Sequence, residues 1–181
     1  MQYANLGKSP LKVSRLCVGT MMFADQTPLG EARSILDHAL EMGCNFLDTA
    51  DVYSIGQSEA MLGQLLPSQR HRWVLASKLG NAMSSLPNEG QYSRSWVMRA
   101  CEGSLARLGT DHLDIYYLHR DFNGMHLEEP LRAIEALLRA IRACDLPGVQ
   151  RLEEGGAQAQ PAGKSSVKSS AKSKPRVTKG A

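Results

Sequence analysis

Apolar positions along this chain follow two alternating rhythms. Short continuous runs read as buried strands, and longer stretches with i, i+3, i+4 spacing read as helices packed by one face. Gln2 to Leu6 and Lys12 to Leu16, parted by Gly7-Lys8-Ser9-Pro10, predict a short hairpin. Leu16 to Thr20 predicts the first buried strand, and Thr27-Pro28 supplies an N-cap and a first-turn proline for a helix ending near Gly43. On that helix Ala32, Ile35, Leu36, Ala39 and Leu40 form one apolar face. The alternation then repeats: strand Asn45 to Asp48 and helix Ser58 to Leu66, strand Trp73 to Lys78 and helix Ser93 to Leu108, strand Leu113 to His119 and helix Glu128 to Ala143. Val97, Ala100, Cys101, Ser104, Leu105 and Leu108 share a face of the third helix. Leu131, Ile134, Leu138 and Ile141 are expected to turn inward on the fourth. Strands alternating with amphipathic helices imply an α/β fold with a parallel sheet and right-handed crossovers, and periodicity alone leaves open sheet and closed barrel as alternatives.

Composition changes this picture only at the C-terminal end. With 181 residues and 43% hydrophobic content, the chain has the material for one domain with a core. Six of its 21 basic residues and none of its 18 acidic ones fall after Glu154, so the net charge of +3 belongs to the tail and the body is mildly acidic. Residues 155–181 are rich in Gly, Ala, Ser and Lys with little to bury, which predicts disorder. We divide the chain into a folded unit, 1–143, and a low-complexity basic tail, 144–181. Lys-rich tails contact nucleic-acid phosphates, but this one has no aromatic residue to stack on bases, and a solvated tail is the preferred reading. Cys17, Cys44, Cys101 and Cys144 are widely spaced without a CxxC pair, so neither a disulfide framework nor a metal site is expected. No stretch approaches the roughly 18 apolar residues of a membrane span, and the chain reads as cytoplasmic.

Four reactive groups stand at the carboxyl ends of the predicted strands, where α/β folds place their chemistry. Asp48 and Tyr53 lie within Phe46-Leu47-Asp48-Thr49-Ala50-Asp51-Val52-Tyr53, Lys78 ends the next strand, and His119 ends the one after. Taken singly, each has a plain structural role: a loop acid, a half-buried aromatic, a solvated lysine, a core histidine. Taken together they suit carbonyl reduction. Hydride arriving at carbon leaves an alkoxide that needs a proton. A tyrosine can give it when an ammonium group eases the proton's release. Lys78 would be that ammonium group, Asp48 its partner, and His119 the group that orients the carbonyl oxygen.

With these residues the chain resembles the aldo-keto reductases, NADPH-dependent enzymes built on a (β/α)8 barrel. The resemblance rests on Gly19-Thr20-Met21, on the Phe46 to Tyr53 segment, on Gly56-Gln57-Ser58-Glu59 with Leu62-Gly63, on Ala76-Ser77-Lys78, and on the run from Ser104 to His119. It covers residues 2 to 143. It implies Tyr53 as proton donor, Lys78 and Asp48 as its tuning pair, and His119 as substrate-orienting group. Thr20, Met21 and Asp48 would lie toward the cofactor, NADPH or NADP, with no metal, and a small-molecule aldehyde or ketone would be the partner. NADPH rather than NADH rests on the resemblance alone.

The pattern departs from the family after Cys144. A full barrel needs about 250 residues, whereas four strand–helix units precede the tail. The family's Ser-Asn pair for the nicotinamide and its later phosphate-binding loops have no counterpart, nor is there a GxGxxG or P-loop replacement. The expectation is a barrel of TIM type truncated to about four βα units behind a short N-terminal hairpin, through a shifted reading frame, an early stop or natural shortening. Its open strand edges predict self-association. The alternative to a working reductase is an inactive fragment that acts, if at all, by pairing with itself or with a partner.

Overall fold

The computed structural model describes residues 1–122 and 127–142; the tail at 144–181 and Cys144 lie outside these. A hairpin of β1 (Tyr3–Asn5) and β2 (Lys12–Ser14) comes first, antiparallel, with Tyr3 opposite Ser14. Then follow β3 (Val18–Gly19), α1 (Leu29–Glu41), β4 (Phe46–Asp48), α2 (Gln57–Leu65), β5 (Val74–Leu79), α3 (Arg94–Leu108), β6 (Ile115–Leu118) and α4 (Glu128–Arg142). The four later strands form one parallel sheet in the order β3-β4-β5-β6, each beside its predecessor. This is the α/β barrel arrangement expected from the sequence, present as four of its units among the described residues.

Strand register determines which side chains face the two sides of the sheet, because parallel partners point the same way. Asp48 pairs with Gly19 and Ala76, Ala76 with Ile115, Lys78 with Tyr117 and Phe46 with Val74. These residues line the concave, inner side. The alternate set, Leu47, Leu75, Ser77, Leu79, Tyr116 and Leu118, lies under the helices. Leu47 and Leu75 pack there with Ala32, Leu36, Leu40 and Leu62, and Leu79 with Val97, Cys101 and Leu105.

Several boundaries and one helix face differ from the sequence reading. The first sheet strand is only Val18–Gly19, because Thr20 turns away and both its N–H and its hydroxyl donate to the Asp48 carbonyl, at 3.0 and 3.1 Å. Pro28 rather than Thr27 occupies the N-cap of α1, and no side chain caps that end; Thr27 is held in a tight loop, its carbonyl accepting from Ala24. Ile35 is exposed at 38%. On α4 the inward face is Pro130, Ala133 and Leu137 with Ile134 beside them, while Leu131 and Leu138 stand 58% and 52% exposed. That helix has one wide apolar stripe, and α3 covers only the side of it that holds Ala133 and Leu137. Ile141's side chain lies outside the described residues. Ser93 caps α3 by accepting from the Trp96 N–H, and all six predicted core residues of that helix are buried.

Candidate active site

Lys78 is the centre of the arrangement. It sits one residue before the end of β5 on the inner side of the sheet, and its ammonium has three protons to place. All three have acceptors: Asp48 Oδ2 at 2.6 Å, the Thr49 carbonyl at 2.8 Å and the Tyr53 hydroxyl at 3.0 Å. Only 14% of the Lys78 side chain and 25% of Asp48 are exposed, so the pair interacts in a medium less screened than water. Because the Tyr53 oxygen accepts from Lys78, its own O–H proton is left to point elsewhere. The ammonium also lies 4.6 Å from the centre of the Tyr53 ring.

His119 follows β6 immediately, and its backbone N–H donates to the Leu79 carbonyl at 2.9 Å. Its ring meets Tyr53 edge-on, with centroids 5.9 Å apart. Burial first, and the Lys78 charge second, lower its pKa below the ordinary 6.5, so the neutral imidazole is the form at neutral pH. Its Nδ1 is buried without a partner among the described residues.

The four residues, from three separate segments of the chain, thus meet around one phenol. Met21 is 58% exposed and lines a hollow of about 550 Å³ with Met22, Val52, Tyr53 and Ile55. Thr20 behaves differently: it is fully buried, and its hydroxyl also accepts from Ser58 Oγ at 3.0 Å. Its side chain holds the first loop to β4 and α2.

The turn that presents Tyr53 is strained. Ser54 and Ile55 have φ of 48° and 50°, in the left-handed region, and Gly56 follows at 82°. Nothing in the hydropathy pattern signals this.

Sequence reasoning also passed over the supports beneath the site. Glu59, fully buried on α2, accepts from Ser77 Oγ at 2.6 Å and from Arg107 Nε at 2.8 Å. It thereby links the helix after Tyr53, the strand that carries Lys78, and α3. The Arg107 side chain also lies against Gly56, where an added Cβ would stand 2.8 Å from its Cδ. Tyr92 donates to the Arg120 carbonyl at 2.6 Å and accepts from the Arg120 N–H at 3.0 Å, fixing the residue after His119. Asp51 donates its N–H to the Lys78 carbonyl at 3.1 Å, and both its carboxyl oxygens are buried with no well-formed hydrogen bond among the described residues, the Val52 N–H being the nearby donor. Burial, and then the nearby Glu59, push its pKa up to about 7. The Gly56-Gln57-Ser58-Glu59 motif was the available signal for Glu59; a polar residue at a buried helix position needs a partner.

Among the described residues no group of His, Cys, Asp and Glu is placed to hold a metal, Cys17, Cys44 and Cys101 are free thiols, and no helix is long and apolar enough to cross a membrane.

The model of the aldo/keto reductase family matches residues 15–144. An uncharacterized oxidoreductase of Bacillus subtilis, YqkF, is 38% identical over 140 residues, which are 76% of this chain and 45% of that protein. A probable voltage-gated potassium channel subunit beta of Arabidopsis thaliana is 37% identical over 142 residues, 76% of this chain and 43% of the relative. In the solved holo form of aldo-keto reductase AKR11C1 from Bacillus halodurans, the match has a TM-score of 0.69 at 36% identity and covers 77% of this chain and 47% of that one. The chain therefore spans less than half the length of these relatives, and within that span it belongs to the aldo/keto reductase family.

Proposed function

We propose that the chain contributes the proton-donating site of an NADPH-dependent oxidoreductase that reduces an aldehyde or ketone to an alcohol. The observation that carries this reading is the Lys78 ammonium shared among Asp48, Thr49 and Tyr53 within 3.0 Å. A phenol that accepts from a cation is better able to release its own proton, and Asp48 offsets the cost of enclosing that cation. The carbonyl oxygen would sit between Tyr53 and the neutral His119, which orients it through a ring N–H. As negative charge grows on that oxygen, the Tyr53 proton crosses to it and the Lys78 charge stabilises the phenolate left behind.

The residues present fit the nicotinamide end of the cofactor, since the hollow that Tyr53 lines is open and Met21 borders it, and Asp48 would lie toward the cofactor through its contact with Lys78. Thr20 would act from behind, by holding that loop. When bound, the cofactor supplies the hydride that adds to the carbonyl carbon. We assign residues 1–143 to this unit and its setting to the cytoplasm, in keeping with the free thiols.

The test is titration of the purified chain with NADPH, followed by addition of an aldehyde, for the unaltered chain and for Tyr53→Phe. Both should bind cofactor saturably. Only the unaltered chain should oxidise it at a measurable rate, the variant being slower by on the order of a hundredfold or more. Equal rates, or no binding by a folded sample, would overturn the proposal. A second reading, an inactive module that works by association, is favoured by the outer edges of β3 and β6, which pair with no strand among the described residues.

A further inference from the structure

We propose that two copies of this chain close on each other into a single eight-stranded parallel barrel, β6 of each copy pairing with β3 of the other. Three independent features point to a second copy as the occupant of the open side.

The first is the edges. Among the described residues β3 and β6 end the same parallel sheet, so the two residues of β3 and the four of β6 have backbone groups facing outward, and all four strands run in one direction. A two-fold axis along that direction brings β6 of one copy beside β3 of its partner, parallel, and does the same at the other seam. The contact is self-complementary and is complete at two copies, because four and four strands give the eight at which side chains fill a barrel interior.

The second is the inner face. Phe46, Val74, Ala76, Ile115 and Tyr117 line it; Val74 and Ala76 are already buried within the single chain, Phe46 and Ile115 are half-buried, and Tyr117 is left 37% exposed. Barrel interiors are built from layers of four side chains given by alternate strands, so a two-fold assembly supplies two from each copy. The charged residues deeper in this face do not oppose closure, since Lys78 and Asp48 are already paired at 2.6 Å within each chain.

The third is the helix layer. Closing the sheet brings α4 of one copy next to α1 of the other. These two helices bear exposed apolar residues: Leu131 and Leu138 on α4, Leu29 and Ile35 on α1, with Met42 just beyond its end. Among the described residues each of these helices packs against one helical neighbour only, α4 against α3 and α1 against α2.

The test is the solution mass of the 181-residue chain, by light scattering after size exclusion, without cofactor or substrate. A species near twice the 19.8 kDa chain mass is expected. The double variant Leu131→Glu, Leu138→Glu should elute as a monomer with unchanged circular dichroism, whereas Leu86→Ser, an exposed leucine in the loop between β5 and α3 and on neither α1 nor α4, should stay dimeric. Hydrogen exchange on the unaltered chain keeps the test decisive if the double variant unfolds: amides of Ile115–Leu118 should slow at least tenfold between dilute and concentrated samples. A monomer at all concentrations, a monomer that shifts only when a separate C-terminal barrel half is added, open-ended growth beyond two copies, or concentration-independent exchange would overturn the inference. Because none of these readouts involves NADPH, they leave the proposed chemistry untouched, and a failure of cofactor binding leaves the dimer standing.

Discussion

Asp51 shows how burial sets the charge state of one residue. Its carboxyl group is fully enclosed beside Glu59 on α2, with Arg107 of α3 and Lys78 of β5 as the nearest cations and Tyr92 and Tyr116 close by. The folded chain therefore holds the Asp51 proton up to about pH 7, against an ordinary value of 3.8. The unfolded chain binds fewer protons between these values, so Asp51's contribution to stability is fully present below 3.8 and is lost as pH rises through about 7. Asp51→Asn keeps the shape without the titration. Measured by urea denaturation, it should gain on the unaltered chain between pH 5 and pH 8, by on the order of a few kcal/mol; parallel curves would refute the shift. Ile55 is a second residue whose cost is local. A β-branched side chain at φ 50° and 69% exposed gives up backbone energy with little burial in return. Ile55→Gly should raise stability by about 1 kcal/mol, visible as a higher denaturation midpoint, unless the side chain packs against something bound in the hollow beside Tyr53.

Among the elements, α2 and α3 depend on each other most closely. Gly63 of α2 lies against the Arg107 carbonyl, where an added Cβ would come within 2.3 Å of backbone oxygen that has no easy way to retreat. Next to this contact, Arg107 neutralises Glu59, which is 0% exposed. Removing the cation leaves an unpaired buried carboxylate, and that is costlier than the pair is valuable. Arg107→Ala should destabilise by about 3 kcal/mol, checked by thermal unfolding, and the double change with Glu59→Gln should recover part of that loss. At the start of α3, Ser93→Ala removes the acceptor for the Trp96 N–H and should cost about 1 kcal/mol. Helix periodicity revealed the buried stripe of α3 in full because one neighbouring layer covers it. On α4 the same reasoning failed for Leu131 and Leu138, since a wide apolar stripe does not reveal which part of it finds a neighbour.

For the molecule as a whole, the consequence of an open sheet is that stability should depend on association. If folding and pairing are linked, the thermal midpoint of the 181-residue chain rises with its concentration; a midpoint fixed over a hundredfold dilution would separate the two. By itself the sequence determined the order of strands and helices and the parallel sheet, and it marked Asp48, Tyr53, Lys78 and His119 as candidates, because these follow from local periodicity and from residue types held at strand ends. Only the tertiary structure decided the rest. It brought Lys78 within 3.0 Å of Tyr53 across 25 residues of chain and turned Thr20 inward to bind Asp48's carbonyl. It also set Glu59, Arg107 and Ser77 together beneath the site, and left two edges and the outer leucines of α4 without a neighbour among the described residues. Hydrogen bonds between distant segments, and the choice of which apolar face is covered, depend on how elements pack in space, and no spacing along the chain encodes that directly.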